Sequence, residues 1–165
     1  MKMVVQRVEN ASCTVEGKIT GKIDKGFLVF IGVSDEDDEA VADKMIKKLL
    51  GLRIFSDENG KINLALKDVG GSLLLISQFT LYADCSHGNR PSFINAGKPE
   101  HAEKLYNYII NKVREAGYTA ETGEFGAEMI INLTNHGPFT ILLDSKDIFG
   151  LNKQKRRKHG TFRSE

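Results

Sequence analysis

Phe27-Leu28-Val29-Phe30-Ile31-Gly32-Val33 runs directly into Ser34-Asp35-Glu36-Asp37-Asp38-Glu39. The apolar run reads as a buried strand. The acids after it read as the opening of a helix, because carboxylates complement the partial positive charge at that end. Val41, Met45, Ile46 and Leu49 recur at helical spacing and form its inner stripe, with Asp43, Lys44, Lys47 and Lys48 outside and Gly51 as the stop. Upstream, three more strands precede this pair in succession: residues 2–8, Ser12–Glu16 and Ile19–Ile23, with Gly17 as a turn.

Downstream, Arg53–Phe55 reads as a strand, followed by the turn Asp57-Glu58-Asn59-Gly60. Val69-Gly70-Gly71 leads into the apolar Leu73–Ser77, a central strand. From Tyr82 to Lys98 the composition is that of a loop. Pro99 suits the first position of a second helix, whose inner face is Ala102, Leu105, Tyr106, Ile109 and Val113, ended by Gly117. Thr119–Thr122, Glu128–Leu133 and Phe139–Leu143 close the list of strands. About eight short strands in succession with two main helices predict an α+β fold on a largely antiparallel, barrel-like sheet. Two helices cannot cover both faces of such a sheet, so a homodimer is expected.

The 165 residues fit one domain, taken as 1–145, with 146–165 as a basic tail expected to be disordered. The chain's formal charge is +1, but seven of its 23 Lys and Arg and two of its 22 acids lie from Lys146 onward, leaving 1–145 at −4. A protein that grips a long stretch of nucleic acid shows a basic face on its body. Any RNA contact is therefore expected at a short end, and DNA is not expected. No apolar run approaches the roughly 20 residues of a membrane span, so no membrane partner is expected. Two distant cysteines, Cys13 and Cys85, and no leader-like start suggest a reduced, cytoplasmic protein.

The four histidines pair with no Cys, Asp or Glu at ligand spacing, and no phosphate-binding or dinucleotide fingerprint occurs, so no metal and no cofactor are expected. Two segments remain. Ser77-Gln78-Phe79-Thr80-Leu81 is either a strand finishing in a polar turn or a strand end that presents N–H groups and hydroxyls to a pocket, the parts that stabilise an ester's oxyanion. Thr80 is a nucleophile in principle, without a base near it in sequence. Asn135-His136-Gly137-Pro138-Phe139-Thr140 has the composition of a hairpin turn.

These two runs resemble the signature motifs of the D-aminoacyl-tRNA deacylases. The likeness extends in order to Val4-Val5-Gln6-Arg7-Val8, Leu52-Arg53-Ile54-Phe55, Arg90-Pro91-Ser92-Phe93 and Gly123-Glu124-Phe125-Gly126-Ala127, and covers roughly 1–145. The departures are His136, where the family commonly has Asp, and the basic tail. The resemblance implies a homodimer whose site hydrolyses the ester between a D-amino acid, or glycine, and the 3′ terminal adenosine of tRNA. Ser77, Gln78, Phe79 and Thr80 would carry the catalytic site, and Gly137-Pro138, implied to be cis, would reach in from the partner and reject L side chains. Arg7, Phe125 and Met129 would bind substrate. Phe125 and Met129 are either an adenine platform or core. The family is thought to use the ribose 2′-OH, not a side chain, to help activate water. A sibling deacylase acting on L-amino acids, a non-hydrolysing aminoacyl-tRNA binder and a nucleic-acid accessory protein remain as alternatives.

Overall fold

The computed structural model describes residues 1–150. Most of the basic tail therefore lies outside the described residues. Among the described residues eight strands occur: β1 (Lys2–Val15), β2 (Lys18–Ile23), β3 (Gly26–Gly32), β4 (Phe55–Ser56), β5 (Ile62–Leu64), β6 (Ser72–Ser77), β7 (Ala120–Thr122) and β8 (Ile130–Asp144). Three α-helices accompany them there: α1 (Glu39–Leu50), α2 (Pro99–Glu115) and α3 (Ser145–Phe149). The main sheet runs β2-β1-β3-β6-β7, with β8 paired to the other edge of β1. Gly21 of β2 lies so close to β7 that a side chain there would meet the Thr122 carbonyl at 2.5 Å, and the sheet curls into a nearly closed barrel.

The sheet is mixed, with two parallel ladders beside its antiparallel ones. β1 pairs antiparallel with β2, β3 and β8, but β3–β6 and β6–β7 are parallel. The reason is connectivity: α1 and α2 each carry the chain from one strand back to a parallel neighbour. Counting Arg53–Phe55 as the next strand of one sheet hid the first crossover. The segment instead forms the separate two-stranded β4–β5 ladder.

β3 and β6 read as unbroken apolar runs because both of their faces are covered. Phe27, Val29, Ile31, Leu73 and Leu75 pack with Met45 and Leu49 of α1 and Leu105, Ile109 and Val113 of α2. Leu28, Leu74 and Ile76 face a second cluster inside the barrel with Val8, Ala11, Cys13 and Ile23. α1 starts later than its acids suggest. Asp37 folds back onto Ser34, accepting from its backbone N–H at 2.8 Å, and Asp38 caps the helix by accepting from Val41 N–H at 2.8 Å. Its innermost residues are Ala42, Met45, Ile46 and Leu49, with Val41 only half-buried.

Two pairs of expected strands are each one long strand. Residues 2–8 and Ser12–Glu16 join as β1, because β8 pairs with it from Lys2 to Thr14. The last two expected strands join as β8, and the segment read as a hairpin turn lies inside it. The boundary at 145 also shifts. Ser145 is buried and α3 continues past it to Phe149, capped by the Asp144 carboxylate accepting from Lys146 N–H at 2.9 Å, so the first residues of the expected tail belong to the fold.

Candidate active site

β6 emerges from the core at Ser77, and Gln78 extends its pairing by donating its N–H to the Ile31 carbonyl at 2.8 Å. The chain then tightens into a 3₁₀ turn, Phe79–Tyr82. Beside this turn opens a cavity of about 610 Å³, lined by Ser77, Gln78 and Phe79 on one side and Phe125, Ala127 and Met129 on the other. The start of α2 forms a further wall: Lys98, Pro99 and Ala102 line it. Phe93 stands at the cavity too, its ring edge-on to Phe79 at 5.0 Å. Behind Phe125 lies Tyr106, 6.0 Å away ring to ring, whose hydroxyl donates to the Leu75 carbonyl at 2.7 Å. Burial pushes the Tyr106 phenol up to about 12, so it stays a donor at neutral pH.

The chemistry of the lining is unusual for a hydrolytic site. Lys98 is its one ionisable side chain, with no carboxylate, imidazole or thiol. Thr80 is exposed, does not line the cavity, and its hydroxyl accepts from the Gln78 carboxamide. Ser77 is a lining hydroxyl with no base among the lining residues.

Arg7, Gly137 and Pro138 form a second constellation. They do not line the cavity. In the β1–β8 ladder Gln6 faces Thr140 and Val8 faces Asn135, so residues 136–139 stand opposite Arg7 alone. This is a large bulge on an otherwise continuous strand. The Gly137–Pro138 bond at its tip is cis, and Gly137 has φ +135. Arg7 donates to the His136 carbonyl from Nε at 3.0 Å and Nη2 at 2.8 Å, and to the Ile54 carbonyl from Nη1 at 2.7 Å. Its guanidinium lies over the Phe139 ring at 4.6 Å. His136 in turn pairs with Glu9 on the surface.

The D-Tyr-tRNA(Tyr) deacylase family model matches residues 4–144, a span holding both constellations. The chain belongs to that family. It is 53% identical over 150 residues to a D-aminoacyl-tRNA deacylase of Thermosipho melanesiensis, covering 90% of this chain and all of that one. Among solved structures, a protein described as the c-Myc DNA unwinding element binding protein has TM-score 0.81 and 40% identity, over 87% of this chain and 98% of that one. A probable eukaryotic D-amino acid tRNA deacylase shares the fold, with TM-score 0.73 at 20% identity over 86% and 97% of the two chains.

Within this family member, Ser77, Gln78, Phe79, Phe125 and Met129 meet at one cavity, while Arg7, Gly137 and Pro138 gather on the bulge and Thr80 stands apart from both. Phe93, Lys98 and Ala127 line the cavity as well, and sequence reasoning gave them no role. Phe93 and Ala127 sit in runs that carried the resemblance. Lys98 carried the weaker signal of preceding Pro99 at the start of a helix.

Proposed function

We propose that this chain hydrolyses the ester joining a D-amino acid, or glycine, to the 3′ terminal adenosine of tRNA. The observation that carries this reading is the cavity at the end of β6. It is apolar, opens at a strand terminus, and offers neither a nucleophile–base pair nor a carboxylate. Such a site can position an ester and stabilise its oxyanion but cannot itself deprotonate water. The proton acceptor must then come from the substrate. A ribose 2′-OH beside the scissile bond relays a proton from the attacking water to the leaving 3′-oxygen, releasing the free amino acid and a tRNA 3′-hydroxyl. The first N–H groups of a helical turn lack partners within it, so the start of the Phe79–Tyr82 turn supplies donors for the oxyanion, with Gln78 beside them. Phe125 and Met129 hold the adenine by stacking.

In this reading the working unit is a homodimer in which each copy's Gly137–Pro138 bulge closes the other's cavity. Support comes from β8. It pairs only with β1 among the described residues, and its outward-facing Ile130 and Leu142 are 65% and 77% exposed. A free strand edge with apolar residues invites a partner. A bulge set rigidly where an L side chain would point rejects it and leaves D side chains and glycine acceptable. The −4 charge of 1–145 suits contact with a tRNA 3′ end and disfavours a grip on a long stretch of nucleic acid, whereas the structural relative with 40% identity is named for binding a DNA unwinding element.

The test is single-turnover hydrolysis of D-, L- and glycyl-tRNA by the purified protein. D-aminoacyl- and glycyl-tRNA are cleaved and L-aminoacyl-tRNA is essentially untouched. Comparable rates for the L and D esters of one amino acid overturn the proposal.

A further inference from the structure

The bulge that carries Gly137 and Pro138 has no ladder partner for four consecutive residues, yet its two ends are tied by one side chain. Asn135 is the last paired residue before the bulge, opposite Val8. Its Oδ1 accepts from the Phe139 N–H at 2.6 Å, and its Nδ2 donates to the Phe139 carbonyl at 3.2 Å. The carboxamide thus binds both backbone groups of the residue that closes the bulge, as a neighbouring strand would. The same Nδ2 also donates to the Thr140 hydroxyl and to the Gln6 carboxamide oxygen, each at 3.1 Å. Gln6 is the β1 residue that faces Thr140 where the ladder resumes. One half-buried amide therefore fixes the far end of the bulge to its near end and to β1.

We propose that Asn135 is a positioning residue for chiral selection: it holds the Gly137–Pro138 segment at the height and angle needed to exclude L side chains. This rests on the reading of that segment as the obstacle. Arg7 hydrogen-bonds the segment through the His136 carbonyl, on the near side of Gly137, and on the far side rests over the Phe139 ring without touching its backbone polar groups. Without Asn135 the Phe139 backbone loses both of its side-chain hydrogen bonds, and the tip can tilt about the His136 anchor. An aspartate at 135 keeps the acceptor for Phe139 N–H. It loses every donor, placing a carboxylate oxygen against the Phe139 carbonyl and the Gln6 oxygen.

Glycyl-tRNA is the internal control, because it has no side chain for the obstacle to sense. In single-turnover assays, Asn135→Asp lowers the D-over-L rate ratio by about tenfold or more, the scale set by losing hydrogen bonds worth about 1 kcal/mol each. Its glycyl-tRNA rate stays within about twofold of wild type, less than one such hydrogen bond's worth. A merely structural role instead lowers all three rates together, in step with the melting temperature, and overturns the proposal; so does an unchanged ratio. If Asn135→Asp does not fold, Thr140→Val removes one of its anchors on the surface and decides the matter by the same ratio: a fall by a smaller factor supports the proposal, and an unchanged ratio overturns it. Failure of the wild-type protein to cleave D-aminoacyl-tRNA would instead refute the hydrolytic reading itself.

Discussion

Arg7 and His136 are joined by a two-pronged hydrogen bond, Nε and Nη2 of the guanidinium both donating to the one carbonyl oxygen at 3.0 and 2.8 Å. The third prong reaches Ile54 O at 2.7 Å, so a single side chain ties the bulge of β8 to the segment just before β4. Arg7 was expected to touch substrate. Within the chain its hydrogen bonds go to backbone carbonyls, and through them it supports the residues beside it.

Arg7→Lys is therefore not conservative. An ammonium keeps the charge but cannot serve two carbonyls in fixed directions with a planar fork. The expected loss is about 1–2 kcal/mol of stability, as hydrogen bonds to charged donors are worth about 1.5–3 kcal/mol each and lysine recovers part of one. Urea unfolding reads the stability, and the single-turnover rate should fall further than the stability does. A rate and midpoint both equal to wild type would remove Arg7 from the support of the bulge.

Gly137→Ala probes the same clamp from the other side. A Cβ at 137 would sit 2.9 Å from Arg7 Nη2, and φ +135 is a conformation that an L side chain rarely adopts. The substitution should displace the guanidinium as well as strain the backbone. A double-mutant cycle with Arg7→Ala reads this: the Gly137→Ala cost in stability becomes smaller once Arg7 is gone, by about 0.5 kcal/mol or more. Strict additivity would mean the two residues do not share the clash.

Thr80→Ala should keep a substantial share of activity. The hydroxyl is exposed, points its hydrogen-bonding to Gln78 and lies outside the cavity lining. A loss approaching the roughly million-fold cost of deleting a true nucleophile would instead identify Thr80 as one.

How far the sequence could be read follows from which forces act locally. The stripes of α1 and α2 were legible because amphipathic spacing and Pro99 are properties of a few neighbouring residues. The apolar runs of β3 and β6 announced burial, but not that their pairing is parallel, since an apolar run carries no record of its neighbour's direction. The largest miss, reading Asn135–Thr140 as a hairpin, has the same origin. Asn, Gly and Pro are equally suited to a turn and to a bulge. Only β1, far away in the chain, decides between them by pairing on both sides of Arg7. Phe125 and Met129 were readable only as platform or core, because each packs against the core and also lines the cavity.

Removing residues from Asn152 onward should leave the melting temperature and the saturating single-turnover rate unchanged, because that stretch has a single large apolar residue, Phe162, to offer a core. Its basic residues should matter for encounter with tRNA, and mainly at low salt, where charges act over more than about 10 Å. An unfolded truncation, or a rate that saturating substrate cannot restore, would contradict this.

A last prediction separates a cavity completed by its own chain from one completed by a second copy. In the described chain, Gly137 and Pro138 do not line the cavity that Ser77, Gln78 and Phe79 line. If the site needs both, the missing half must come from another copy, and defects in the two halves must complement. Ala127→Trp fills the cavity and disables only the half at the end of β6. Gly137→Ala puts a side chain on the tip that closes the cavity, and so blocks the site only from the bulge's half. Each variant alone should be nearly inactive as a homodimer. Unfolded together and refolded as an equal mixture, about half of the dimers pair one of each, and each such dimer has one intact site, so activity returns to roughly a quarter of wild type. Sedimentation equilibrium on the same samples checks that dimers have formed. Dimers that form freely but stay inactive, or a fully active monomer at micromolar concentration, would place both halves of the site on one chain.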